Sequence, residues 1–386
     1  MCWSLRDRCV GPRWVLPTML EAREERLWCI FSGGPSEMGP NQWERRLMRI
    51  GIIAHGAYVP SQRIGLEELR KFWGALSTPA IRQKSFPGYD EDVITMGVEA
   101  ARQALHRCGM PGERIGAVFL ATTSGPYEEK PNVSTLVSAI SGSSRLRAVE
   151  LGGSPRAGAL ALLAGLEFSS LWGRPALVVA SDAPFAHPSC GVEHGLGAGA
   201  VAFIIAPNEK ATSLEAVESI SLETFGERFR RRGERFLQDL ELRQDEISGC
   251  VLEGVRGLLN RLGCSLQDFG SIVLPDPDGV TAVRLAGKLG VEKEKIVSLT
   301  SRMGDAGAAA ALLCMAQAME HLDVGQRLLV VSYGSGVEVM SWILGEAALD
   351  SRSIGKSLEE ILSKGRERSY GEYLKIRGFL SLRSQG

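Results

Sequence analysis

Glu150-Leu-Gly-Gly-Ser-Pro-Arg-Ala-Gly158, continued by Ala-Leu-Ala-Leu-Leu-Ala-Gly-Leu-Glu-Phe168, is the stretch whose reading decides the fold. An extended segment runs into an elbow of small residues and then into a helix with little polarity on any face. A helix that is apolar all round is a buried one. Its amino terminus exposes N–H groups and the positive end of the helix dipole, where a nucleophile's anion is stabilised. The residues on offer at that point are Ser154 and Pro155, with no cysteine.

On both sides of the elbow, strands alternate with helices, the pattern of a layered α/β protein. Asp92–Cys108 reads as a helix closed by Gly109, a residue suited to that position. Ala117–Ala121, Arg147–Leu151 and Arg174–Asp182 read as strands, and Pro131–Ser141 as a helix. Gly195–Ile205 is glycine-rich and ends as a strand that tolerates close backbone approach.

The pattern then repeats. Val98–Gly109 followed by Ile115–Leu120 corresponds to Leu252–Gly263 followed by Phe269–Leu274. Gly158–Leu163 with the strand Ala176–Ser181 corresponds to Gly307–Leu313 with Leu328–Ser332. A period of roughly 150 residues is too long for a solenoid unit and indicates two copies of one α/β module about a pseudo-twofold axis. The two elbow helices, beginning near Gly158 and Gly307, are expected to meet at the centre. The boundaries that follow are an irregular extension over 1–47, modules over 48–210 and 211–349, and a tail over 350–386. The extension holds four of the seven tryptophans and no periodicity, and reads as an over-long gene start or a loosely ordered arm. The tail is charged and expected to be a surface helix with an ordered end near Tyr370–Phe379.

Composition narrows the function classes. With 44 basic and 45 acidic residues the net charge is -1, so no global field draws nucleic acid or an anionic membrane. No apolar run approaches the roughly 20 residues that span a bilayer. Eight cysteines are scattered without a CxxC pair or a Cys/His cluster, so no metal site is expected. Unpaired thiols suggest a reducing, cytoplasmic compartment. The basic insert Phe225–Phe236 reads as a solvated connection, or as a clamp in which Arg232 and Arg235 hold a phosphorylated ligand.

Several motifs, spread from Arg49 to about Phe379, carry a resemblance. Gly51-Ile-Ile-Ala-His-Gly-Ala-Tyr-Val-Pro60, Asp90-Glu-Asp-Val-Ile-Thr-Met-Gly-Val-Glu-Ala-Ala101, Gly199–Ile205, Val331-Ser-Tyr-Gly-Ser-Gly336 and Tyr370–Gly378 are similar to segments of the archaeal and bacterial 3-hydroxy-3-methylglutaryl-CoA (HMG-CoA) synthase group of the thiolase superfamily. The resemblance implies a thiolase-like fold: duplicated βαβαβαββ modules in an α-β-α-β-α arrangement. It also implies a coenzyme A thioester as ligand. In that family an elbow Cys takes an acetyl group, a His orients the second acyl-CoA, and a Glu serves as acid and base.

This chain departs from the pattern at each of those positions. Pro155, or Ser154 if the loop shifts by one, stands at the Cys position. Pro275 replaces the His, Thr123 the Glu, and Asp305 the Asn of the second elbow. Proline has neither a nucleophile nor a transferable proton, and Ser154 needs a base to be acylated. By resemblance Ser154, Gly304 and Gly336 line the substrate site. The expected function is therefore a catalytically degenerate subunit of an acyltransferase complex, a homodimer partnered by an acetyl-CoA acetyltransferase (thiolase) and a zinc-ribbon/OB-fold protein. The alternative is an active condensing enzyme or carbon–carbon lyase that uses Asp276, Asp278 or Asp305 as base and no acyl-enzyme. A genuine HMG-CoA synthase would require a different alignment at three sites.

Overall fold

The computed structural model describes residues 49–223, 228–238 and 244–380. The extension over 1–47 lies outside the described residues. In chain order the main elements are β1 (Ile50–Tyr58), β2 (Gln62–Gly65), α1 (Leu66–Trp73), β3 (Gln83–Ser85), α2 (Val93–Arg107), β4 (Ala117–Ala121), α3 (Asn132–Ile140), β5 (Arg147–Leu151), α4 (Ala157–Trp172), β6 (Ala176–Asp182) and β7 (Gly199–Pro207). They continue with β8 (Thr212–Ser221), α5 (Gln244–Leu262), β9 (Phe269–Val273), α6 (Thr281–Leu289), α7 (Thr300–Met303), α8 (Ala310–Met319), β10 (Arg327–Tyr333) and β11 (Gly336–Ile343). The tail adds α9 (Glu346–Arg352), α10 (Leu358–Ser363), β12 (Arg366–Glu367) and α11 (Tyr370–Ile376).

The duplication is visible in the strand order, β5-β4-β6-β7-β1-β8-β11-β10-β9. Read from each edge inward, both halves run parallel strands, then an antiparallel one, then the strand that opened the half. The parallel bridge from Ile272 to Ile296 marks the second half's counterpart of β5. The halves join through the short antiparallel contact of Gly51 with Ser213 and Ile52 with Thr212. That join needs glycine, because a Cβ at Gly51 would lie 2.2 Å from the Thr212 carbonyl oxygen.

Side-chain alternation along each strand builds the layers. Ala117, Phe119 and Ala121 of β4 face a central core with α4 and α8, whereas Val118 and Leu120 face α2 and α3. In β10, Leu328 and Val330 face the central core, and Leu329 and Val331 face α5 and α6. The result is α2/α3, first sheet, α4/α8, second sheet, α5/α6: five layers, with the two elbow helices in the middle. They touch backbone to backbone, and a Cβ on Gly158 would sit 2.1 Å from the Ala308 carbonyl oxygen.

The tail differs from the expected surface helix. It breaks into short pieces whose Leu358, Leu362, Tyr370 and Tyr373 are buried, and β12 pairs with β2. Buried polar groups hold it. Glu320 accepts from the Leu358 N–H (2.9 Å) and pairs with Arg107 (3.1 Å) and His55 (3.4 Å). Lys84 and the Tyr373 hydroxyl both donate to Glu193. The charges of the tail hid the apolar positions at helical spacing that anchor it.

Candidate functional site at the paired helix elbows

The parallel strands of the two halves all end on one edge of their sheets, so the loops that follow β4, β5, β6, β9 and β10 gather there. That edge is where ligands of α/β sheets bind. After β5, Gly153 takes a positive φ of 88° and turns the chain. The Ala157 N–H then bonds the Ser154 carbonyl (3.0 Å) and α4 begins, with no side-chain cap from Arg156. Arg156 turns back into the seam of β8 and β11, donating to the Ile220 carbonyl (2.7 Å) and lying 3.5 Å from Glu338. Burial holds the Glu338 carboxyl above its usual range. The Ser154 hydroxyl reaches only the Gly334 carbonyl, at 3.5 Å, and no base is among its partners within the described residues.

The second elbow is closed by polar contacts. Asp305 bonds Gly195 and Gly197 through its backbone (2.8 Å each) and accepts the Gly307 N–H at 3.0 Å. Its other carboxylate oxygen receives Arg228 at 2.6 Å. Gly307 has φ 54°, and a Cβ there would be 2.3 Å from an oxygen of Asp182. Asp182, fully buried at the end of β6, accepts from the Thr123 hydroxyl (2.6 Å), the Thr123 N–H (3.2 Å), the Ala308 N–H (2.9 Å), the Ala183 N–H (3.2 Å) and the Ser124 hydroxyl. It thereby ties the loop after β4 to the start of the second elbow helix. Arg230 closes the circuit, donating to the Thr123 carbonyl at 3.2 Å. One Arg228 nitrogen, Nη2, is buried with no hydrogen-bond partner among the described residues.

The positions singled out from sequence thus fall into separate groups. Thr123 and Asp305 belong to one polar cluster through Asp182 and Arg228, while Ser154 and Pro155 sit on the other elbow. Pro275 follows β9, and beside it Asp276 accepts from Ser298 (2.5 Å) and the Ala282 N–H (3.3 Å). Burial holds the Asp276 carboxyl above its usual range, and the charges of Asp278 and Asp305 push the same way. Asp278 caps α6 through the Thr281 N–H (2.7 Å) and pairs with Arg284 at 3.1 Å. Gly304 and Gly336 are places of backbone contact: a Cβ would lie 2.8 Å from the Gly197 nitrogen and 2.0 Å from the Ile220 carbonyl oxygen, respectively.

Of the insert's arginines, Arg232 is exposed, and Arg235 lies over the rings of Phe185, Phe236 and Phe379 at 5.2 to 5.6 Å. Arg228 and Arg230 are the two that reach the elbow. Sequence reasoning missed them, although the arginine run marked the segment. It also missed Asp182, whose place at the carboxyl end of a buried strand was a usable signal. Among the described residues, no cluster of His, Cys, Asp and Glu could hold a metal, and no helix is long and apolar enough to cross a membrane.

No protein-family model matches the chain. Among solved structures it is similar to one described as HMG-CoA synthase complexed with CoA, with TM-score 0.77, 19% identity, and 88% of this chain and 92% of that one covered. Another, described as MvaS in complex with 3-hydroxy-3-methylglutaryl coenzyme A, gives TM-score 0.72 at 20% identity, covering 85% and 91%. The fold is thiolase-like. By sequence the chain is 31% identical over 341 residues to the hydroxymethylglutaryl-CoA synthase of Pyrococcus furiosus, covering 85% of this chain and 96% of the relative. It is also 31% identical over 346 residues to that of Methanopyrus kandleri, covering 85% and 97%. The chain belongs to the hydroxymethylglutaryl-CoA synthase family.

Proposed function

We propose that this chain is a member of the family that binds a coenzyme A thioester without forming an acyl-enzyme, as the non-catalytic subunit of an acyltransferase assembly. The observation that carries the reading is Pro155 at the foot of α4, next to a Ser154 whose only hydroxyl contact among the described residues is the Gly334 carbonyl at 3.5 Å. Acyl transfer to an enzyme needs a nucleophile activated by a base within hydrogen-bond reach. Cys314, on the second elbow helix, offers no substitute: it is buried, and desolvation pushes its thiol up to about 12.

Ligand binding is supported separately. A buried donor without a partner costs about 1–3 kcal/mol, and among the described residues Arg228 Nη2 is such a donor at the second elbow. A thioester carbonyl or a carboxylate oxygen would satisfy it. The similar solved structures bound to CoA and HMG-CoA are consistent with that class of ligand. The homodimer and the thiolase and zinc-ribbon/OB-fold partners rest on the family resemblance. Incubation of the purified chain with acetyl-CoA and acetoacetyl-CoA, followed by intact-mass and product analysis, tests the reading. We expect no covalent acyl group, no HMG-CoA, and saturable CoA-thioester binding that Arg228→Met weakens.

A second reading is favoured by the near-complete alignment to proteins named hydroxymethylglutaryl-CoA synthase, 96% and 97% of their lengths. On that reading the chain is itself a synthase. Formation of HMG-CoA by the isolated chain would establish it and overturn the first.

A further inference from the structure

The insert reaches the elbows as a hairpin. Phe229 and Gln238 exchange both backbone hydrogen bonds (2.8 Å each), and Gly233, with φ 81°, turns the chain between them. Arg228 and Arg230 leave one arm toward Asp305 and the Thr123 carbonyl. A single two-stranded hairpin is marginal in water, and Arg230, Arg231 and Arg232 are exposed. Its apolar grip on the rest of the protein comes from the other arm.

That arm carries Arg235 and Phe236. The Leu237 N–H bonds the Phe185 carbonyl at 2.8 Å, and the Phe236 ring meets Phe185 (5.4 Å) and His187 (5.2 Å) of the segment after β6. Its stacked neighbour comes from the tail: Phe379 lies 5.8 Å away with the ring planes 12° apart. Phe379 also meets Phe185 at 5.0 Å, which closes a cluster of three rings. Arg235 lies over all three and donates to the Arg377 carbonyl at 3.3 Å, while Arg377 lies over Phe185 at 4.3 Å. Ring faces attract cations, so two guanidinium groups share the cluster. The tail presents Phe379 from a fixed base. Tyr373 of α11 is buried and donates to Glu193, and Gly378, with φ 73°, ends the helix. The Phe379 N–H then bonds the Leu374 carbonyl at 2.8 Å.

We infer that Phe379 is a positioning residue for the candidate site: it clamps the insert hairpin so that Arg228 and Arg230 stay over the elbows. The inference rests on the reading of Arg228 as a ligand contact. Without the Phe379 ring, Phe236 loses its stacked partner and Arg235 one of its three faces. A coenzyme A thioester then meets Arg228 only in the fraction of molecules whose hairpin is seated, and apparent affinity falls by that fraction.

Hydrogen exchange of the full chain at the Phe229, Leu237 and Gln238 amides, with titration by acetyl-CoA, tests this on Phe379→Ala and Phe379→Tyr. We expect Phe379→Ala to speed exchange at those three amides about tenfold, the scale of two lost aromatic contacts. The amides of Val118 and Val330, in the buried strands β4 and β10, should keep their rates. Acetyl-CoA should bind several-fold more weakly, and Phe379→Tyr, which keeps the ring, should restore both readouts. In a chain already carrying Arg228→Met and Arg230→Gln, Phe379→Ala should weaken binding no further. The inference is overturned if Phe379→Ala leaves the three hairpin amides unchanged, or speeds Val118 and Val330 equally. It is also overturned if Phe379→Ala weakens binding as much in the chain lacking both arginines as in the chain that has them. Normal acetyl-CoA binding by Arg228→Met alone would instead overturn the ligand reading on which the inference rests, so the two failures are told apart.

Discussion

Replacing Asp182 with Asn probes the joint on which the candidate site depends. The carboxylate is fully buried and receives donors on both oxygens. Thr123 and the Ala308 N–H bond one oxygen; Ser124 and the Ala183 N–H bond the other. An asparagine amide can keep its oxygen toward Thr123 and Ala308, the pair that links the halves. Its NH2 then faces the Ser124 hydroxyl, which can rotate to accept, and the Ala183 N–H, which keeps the Ser124 hydroxyl oxygen at 2.9 Å as its acceptor. The cost is therefore that of the charge: a hydrogen bond to an ionised acceptor contributes about 1.5–3 kcal/mol against about 0.5–1.5 for a neutral one. Over the two bonds from Thr123 and Ala308 the loss sums to about 2–3 kcal/mol. Guanidinium unfolding followed by fluorescence measures it, with an unchanged slope indicating that only stability changed. Because Asp182 also fixes Gly307 beside Arg228, titration with acetyl-CoA should show weaker binding in a variant that remains folded. A loss of stability below about 1 kcal/mol, with thioester binding intact, would refute Asp182 as the joint.

Other consequences are open to measurement. Gly158→Ala places a methyl 2.1 Å from the Ala308 carbonyl oxygen and should destabilise by about 1–3 kcal/mol or more, as overpacking does. Gly249→Ala, which meets nothing within 4 Å in α5, should raise stability by about 0.4–1 kcal/mol, and equal effects would contradict the central packing. Burial lowers the His55 pKa, against a smaller raising effect of Glu320. The unfolded chain therefore binds the proton more readily, and stability should fall as pH drops below about 6.5. His55→Gln should flatten that slope in unfolding curves taken between pH 7.5 and 5.5. Pro155→Cys puts a thiol at the amino terminus of α4, where the helix dipole favours its anion. Peptide mass spectrometry should find it alkylated by iodoacetamide at neutral pH well before buried Cys314, and equal rates would show that this elbow lacks an activating field.

By itself the sequence determined the architecture. Apolar alternation along Ala117–Ala121 and Leu328–Val331, the all-round apolar helix after Gly158, and the small residues at both elbows are local signals. Each survives into the fold because burial on both faces of a strand, or all around a helix, allows few other residues. The places of positions 123, 155, 275 and 305 in the fold were legible for the same reason, since each stands at a fixed offset from such an element. What surrounds them was not. Arg228 meets Asp305 across 77 positions, and Asp182 meets Ala308 across 126. No periodicity separates Arg228 and Arg230, which reach the elbow, from Arg232 and Arg235 a few residues on. Only the path of the chain does so, turning the insert back over Thr123 while Arg235 is taken up by three aromatic rings. The tail shows the same division: its charges are evident in the sequence, but its burial depends on Glu320, Glu193 and β2, which only the tertiary structure brings to it.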